Sequence, residues 1–226
     1  LHYATTIEHP AQLAPVAAQL ATGLARPGGF VAHVSLPIDL QHAPCAPVVH
    51  LERAALVPTC GPATFAEHAA LLADARPVVW LGFGSRHAAG PIAALVERLD
   101  ARVMCSPRAK GVFPEDHPRF LGVTGLGGHP RVDELLTAER PPFTLVLGTR
   151  MGESTSFWAS ELTPAQAFIH VDADPAAFGV AYPTVRTLPV VAEVGGYVRG
   201  LLAALGPAPA TQAIAPAAAP AITPRP

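Results

Sequence analysis

The residues best suited to chemistry are few, and they sit where apolar runs end. Gly82-Phe83-Gly84 closes the run Pro77–Gly84, Pro-Val-Val-Trp-Leu-Gly-Phe-Gly. Backbone amides at such a turn, aimed by a following helix N-terminus, suit a pyrophosphate; a purely structural tight turn fits the same residues equally well. Arg150 follows the run Phe143–Gly148 and could clamp a phosphate bidentately. Its alternative role is a surface ion pair with Glu153. Asp172 and Asp174 end another run ahead of Pro175. Two carboxylates there suit a ribose hydroxyl or acid–base work, and equally a turn or helix cap. Ser106 ends a third run and offers a hydroxyl.

Other chemistries are poorly served. A dinucleotide fingerprint would place its third glycine at His87 and an acidic residue where Cys105-Ser106 stands, so a nicotinamide dehydrogenase is not expected. His87, His117, His129 and His170 lack metal-ligand spacing and read as surface or core histidines. Ser154, Thr155 and Ser156 have no His–Asp partnership that would make a nucleophile. Cys45, Cys60 and Cys105 show neither metal spacing nor even pairing, so buried or free thiols in a reducing cytoplasm are the expectation. A deacylase of similar sheet order would need a zinc-binding cysteine set, which three cysteines do not supply.

The elements that must position these residues alternate between strand and helix. Pro77–Gly84 reads as a strand buried on both faces, and Ser85–Leu99 as its helix, with Ile92, Leu95, Val96 and Leu99 at helical spacing. Arg102–Cys105, Phe143–Gly148 and Ala167–Val171 read as further strands, with Thr187–Val191 as a fifth. Thr64–Ala75, Val132–Ala138 and Ala192–Leu205 read as helices, Ser106–Phe120 as irregular and Thr149–Trp158 as a loop. This alternation implies a doubly wound, Rossmann-like α/β fold: one parallel sheet with helices on both faces. Earlier, Pro10–Ala25 reads as a helix and Phe30–Leu36 as a strand with no evident sheet to join. They look like the tail of a preceding domain. The divisions expected are 1–41 for that tail, 42–62 for a Pro-rich linker, 63–205 for the α/β domain and 206–226 for an Ala/Pro-rich linker, mobile and protease-sensitive.

The 226 residues are 50% hydrophobic and 14% charged, with a net charge of −2. That allows a large core and argues against nucleic acid as a partner. No apolar run approaches a membrane span and no secretory signal is visible, so the expected location is the cytoplasm. The first residue is Leu, so the chain reads as a piece of something longer, or as processed.

Four stretches in order carry a family resemblance: Arg76–Gly82, Lys110–Pro118, Leu145–Arg150 and Ile169–Pro175. Together they make Ala75–Pro183 resemble the central domain of thiamine-diphosphate-dependent enzymes of the acetolactate synthase group. Pro10–Gln41, ending Ser35-Leu36-Pro37-Ile38-Asp39-Leu40-Gln41, resembles the end of that family's pyrimidine-binding domain. The resemblance implies a parent decarboxylase or carboligase acting on 2-oxo acids, with thiamine diphosphate and magnesium held outside this chain, which contains no Gly-Asp-Gly. The chain alone is then expected to be inactive and to serve as a structural and regulatory domain. The parent would be a homodimer or homotetramer, and the remaining domains of the enzyme would be this chain's partners. The resemblance also places FAD, or an ADP-containing ligand, at Gly82, Gly84, Ser106, Gly148, Arg150 and Asp172. The family's Met-His-Gly contact segment is Leu126-Gly127-Gly128 in this chain. A competing reading is a stand-alone nucleotide-binding module without catalysis.

Overall fold

The computed structural model describes residues 1–26, 29–47 and 57–207. Residues 48–56 of the expected linker 42–62, and nearly all of the Ala/Pro-rich tail, therefore lie outside the described residues. The chain divides between Pro58 and Thr59 into two units.

The first unit corrects the expectation of a strand without a sheet. A short strand, β1 (Tyr3–Thr6), precedes helix α1 (Leu13–Leu24) and pairs in parallel with β2 (Ala32–Ser35), from Tyr3↔Ala32 to Thr6↔Ser35. Two parallel strands need a crossover, and α1 is that crossover. A single 3₁₀ turn, Pro10–Gln12, leads into α1; the Gln12 side chain accepts from the amides of Glu8 and His9. Gly23 lets the helix meet the Phe30 ring, since a Cβ there would lie 2.4 Å from it.

The second unit holds six parallel strands: β3 (Val78–Leu81), β4 (Arg102–Cys105), β5 (Phe120–Val123), β6 (Phe143–Leu147), β7 (Ala167–Asp172) and β8 (Thr187–Val191). Their spatial order is β5-β4-β3-β6-β7-β8. The four strands expected to be neighbours in one parallel sheet are neighbours, as β4-β3-β6-β7.

Both faces of the sheet are covered, which is why the strands read as continuous apolar runs rather than alternating ones. On one face Val79, Leu81, Val103, Leu145, Leu147 and Ile169 join a core with residues of α2 (Pro62–Leu72), α3 (Ala89–Arg98) and α6 (Val194–Leu205). On the other, Val78, Trp80, Met104, Val146 and Phe168 pack with Val132 and Leu136 of α4 (Arg131–Ala138), with Leu162 and with Tyr182. The doubly wound expectation therefore holds.

Three local readings change. Helix α3 begins at Ala89, not at Ser85, because Phe83–Ser85 forms a 3₁₀ turn first. Strand β5 was not anticipated: the run is short, it carries Gly122 at φ +138°, and its pairing with β4 shifts register between Val103 and Met104. Gly122 is needed because a Cβ would sit 3.0 Å from Val132 of α4. The loop after β6 contains one helical turn, α5 (Glu153–Ser156).

Candidate functional site

Strands β3 and β6 are adjacent, yet the chain leaves β3 toward β4 on one side and leaves β6 toward β7 on the other. Loops that diverge in this way open a crevice at the carboxyl ends of the strands, the usual ligand position in open α/β sheets. Each site residue expected from the sequence lies at or next to one of these strand ends.

The glycines meet each other at the switch point. A Cβ on Gly82 would lie 2.2 Å from the Gly148 carbonyl oxygen and 2.3 Å from Thr149 Cβ. Gly148 has φ +68°, and its own Cβ would lie 2.6 Å from Gly84 Cα. The Gly82 amide donates to Leu147 O at 2.8 Å and the Gly84 amide to Gly148 O at 3.0 Å. Both amides are therefore spent on β6. The turn brings backbone close to the strand ends, and these two N–H groups serve the structural turn, one of the two roles the sequence leaves open for them.

Cations stand on both sides of the switch point. On the β3–β4 side the half-exposed Phe83 ring is flanked by Arg86 and Arg108, each guanidinium carbon 4.3 Å from the ring centroid. Arg86 also donates to Phe83 O at 3.1 Å. Such contacts are worth about 0.5–1 kcal/mol each at an exposed site and hold the guanidinium planes in place. The sequence reading missed both arginines. The only signal was their closeness to the Gly82-Phe83-Gly84 turn and to Ser106. Ser106 itself is buried, with its amide donating to Leu81 O at 2.8 Å.

On the β6–β7 side, Arg150 is exposed and its guanidinium pairs with Asp174, not with Glu153. Asp174 also caps the 3₁₀ turn Pro175–Ala177 by accepting from the Ala176 amide at 3.0 Å. Asp172 is half-buried at the end of β7 and accepts from the Asp174 amide at 2.9 Å. Burial is the largest influence on Asp172 and raises its carboxyl above the usual carboxylate range; the amide bond opposes that rise. Both aspartates thus serve the turn, and Asp174 also holds Arg150.

Beneath this edge lies His170, fully buried on β7. Its Nε2 is 2.8 Å from Thr149 O, and its Nδ1 has no hydrogen-bond partner. Burial pulls its pKa down to about 4, so the ring is neutral, with Nε2–H donating to Thr149 O. The Phe178 ring meets it edge-on at 5.0 Å. His170 is therefore a core histidine that pins the backbone just before Arg150.

The loop after β6 is strained. Met151, Phe157 and Trp158 all have positive φ, at 52°, 45° and 52°. Such conformations persist only where the surroundings enforce them, and they gather at functional sites. Ser156 enforces them here, donating to Met151 O at 2.7 Å and accepting from the Trp158 amide at 3.0 Å. The Leu126 amide donates to Ser154 O at 2.9 Å and ties the loop after β5 to the loop after β6. Among the described residues no three His, Cys, Asp or Glu side chains converge as metal ligands, and no helix is long and apolar enough to cross a membrane.

Within the second unit, the strand order is the 3-2-1-4-5-6 order of a doubly wound nucleotide-binding fold. Residues 66–201 match the family described as thiamine pyrophosphate enzyme, central domain, and the chain belongs to that family. It is 34% identical over 163 residues to a probable 2-ketoarginine decarboxylase of Pseudomonas aeruginosa, covering 69% of this chain and 28% of that protein. It is 35% identical over 148 residues to a sulfoacetaldehyde acetyltransferase of Rhodobacter capsulatus, covering 61% and 24%. It is 30% identical over 191 residues to a probable acetolactate synthase large subunit of Methanocaldococcus jannaschii, covering 80% and 31%. The chain thus spans under a third of the length of these relatives. A solved structure from Mycobacterium smegmatis, described as a thiamin diphosphate-dependent enzyme, shares the fold with a TM-score of 0.71 at 19% identity, over 93% of this chain and 40% of that one.

Proposed function

We propose that this chain is the central domain of a thiamine-diphosphate-dependent decarboxylase or carboligase acting on a 2-oxo acid, and that its switch-point crevice holds the ADP half of a nucleotide ligand. The first part is supported by the family match across residues 66–201 together with the decarboxylase and acetolactate synthase relatives. Thiamine diphosphate, once bound, supplies the electron sink for loss of carbon dioxide. It would be held with magnesium by other domains, because this chain brings no metal-ligand group together among its described residues. This chain alone should therefore release no carbon dioxide from pyruvate above a protein-free blank when supplied with both cofactors.

The observation that carries the second part is the placement of cations. Arg86 and Arg108 stand at one lip of the crevice and Arg150 at the other. A diphosphate bridging the lips would meet fixed guanidinium planes, which suit phosphate geometry. Asp172, at the end of β7, would accept from a ribose hydroxyl. Gly82, Gly84, Gly148 and Ser106 would then shape the crevice floor by close backbone approach rather than by donating their amides. Both ADP and FAD should bind through this ADP half.

Calorimetric titration with ADP and with FAD tests this reading. Both should bind, and Arg150→Ala should weaken each by about 1.5–3 kcal/mol, the range for a hydrogen bond to a charged group. Equal affinity in both proteins, or no heat from either ligand, would remove the nucleotide from the crevice.

A further inference from the structure

The opposite edge of the same sheet carries a second charged cavity, at the amino ends of the strands. Its volume is about 410 Å³. Four arginines line it, and the strand order explains their meeting. Arg119 immediately precedes β5, Arg102 opens β4, Arg76 lies two residues before β3 and Arg140 three residues before β6. Those four strands are consecutive neighbours in the sheet, so four arginines scattered over 65 positions of sequence arrive on one rim. Only two carboxylates, Asp100 and Glu139, share the lining.

The ion pairs leave the balance positive. Asp100 bridges two arginines, meeting Arg76 Nε at 3.0 Å with one oxygen and Arg119 with the other. Glu139 lies 3.1 Å from Arg102 Nη2. Arg140 is held by neutral acceptors, Thr163 O at 3.1 Å and Thr163 Oγ1 at 2.7 Å. Glu97, outside the lining, also meets Arg119, its oxygen 3.4 Å from Nε. Four guanidiniums against three carboxylates leave an excess of one positive charge, and each guanidinium fork has more donors than these bonds use. Arg76 and Asp100 also both stand at positive φ, 44° and 49°, so the pair that shapes the rim is held in uncommon backbone conformations.

We infer that this cavity is an anion site, independent of the crevice reading, and that it takes a small anion of the phosphate or phosphate-monoester class. An anion answers the excess charge, and guanidinium forks match the oxygens of a phosphate bidentately. The pocket lies at the amino ends of strands whose carboxyl ends build the crevice, so occupancy at one edge is sterically compatible with occupancy at the other.

The test is calorimetric titration of this chain with inorganic phosphate, with sodium chloride at matched ionic strength as the control. Phosphate should bind at millimolar concentration or below while chloride gives no saturable heat. Arg76→Gln and Arg119→Gln should each weaken phosphate about tenfold, as loss of a charge-assisted hydrogen bond requires. Glu139→Gln removes a competing carboxylate and should tighten it, an effect that a merely structural role would not produce. Should Arg119→Gln fail to fold, the exposed Arg76 variant decides. No saturable phosphate binding, or equal affinity in the native chain and the arginine variants, overturns the proposal. If a phosphate monoester such as glycerol phosphate competes with inorganic phosphate, the site takes the ester as well; if it does not, the class narrows to the free ion.

Discussion

His170 and Gly148 are neighbours in space that answer different demands. Gly148 must take a positive φ and let Gly84 pass within contact of its backbone, so no side chain fits. His170 must remain neutral to keep its Nε2–H on Thr149 O in a dry interior. Its depressed pKa has a consequence for stability. Between pH 6.5 and about 4 the unfolded chain binds a proton at this position that the folded chain does not. The stability His170 contributes is therefore present above pH 6.5 and is lost as pH falls toward 4, with a slope approaching about 1.4 kcal/mol per pH unit. Urea denaturation of the native chain and of His170→Gln across this window should show the native curve falling more steeply. Parallel curves would mean that the ring is solvated in the folded chain.

At the scale of elements, long apolar runs were legible and short, interrupted ones were not. β3, β6 and β7 stood out because strands buried on both faces must be apolar at every position. β5 did not, because Gly122 breaks its run for the sake of α4, a demand that only tertiary packing reveals. β1 is four residues long with Thr5 and Thr6 among them, too brief for periodicity to register. The start of α3 was misjudged because no residue type announces the 3₁₀ turn at Phe83–Ser85. By contrast α6 has a strong start signal: the Glu193 carboxylate accepts from the amides of Gly195 at 2.8 Å and Gly196 at 2.5 Å. Glu193→Ala should lower stability by about 1 kcal/mol, the usual cost of a lost cap, measurable as a lower melting temperature. An unchanged melting temperature would show that packing of Tyr197, Val198 and Leu201 alone holds this end.

For the whole molecule, residues at the strand ends could be named from sequence because a doubly wound sheet puts every carboxyl end on one edge. What each residue does there could not be read. The amides of Gly82 and Gly84 are consumed by β6, a fact of strand pairing. Arg150 finds Asp174 rather than the nearer-in-sequence Glu153, because β6 and β7 are adjacent and their ends project together. Arg86 and Arg108 gain meaning only when β3 and β4 pair and bring both onto Phe83. The arginine cavity at the opposite edge is likewise invisible until the strand order is known. The account therefore assigns the two edges of one sheet to different tasks, with nucleotide at the carboxyl ends. Backbone amide chemical-shift mapping during titration with ADP tests this most directly. The account predicts that the largest shifts fall at Gly84, Ser106, Gly148, Arg150 and Asp172, with Arg108 and Phe83 among the residues that move. Shifts confined to Arg76, Arg102, Arg119 and Arg140, or no shifts at all, would contradict it.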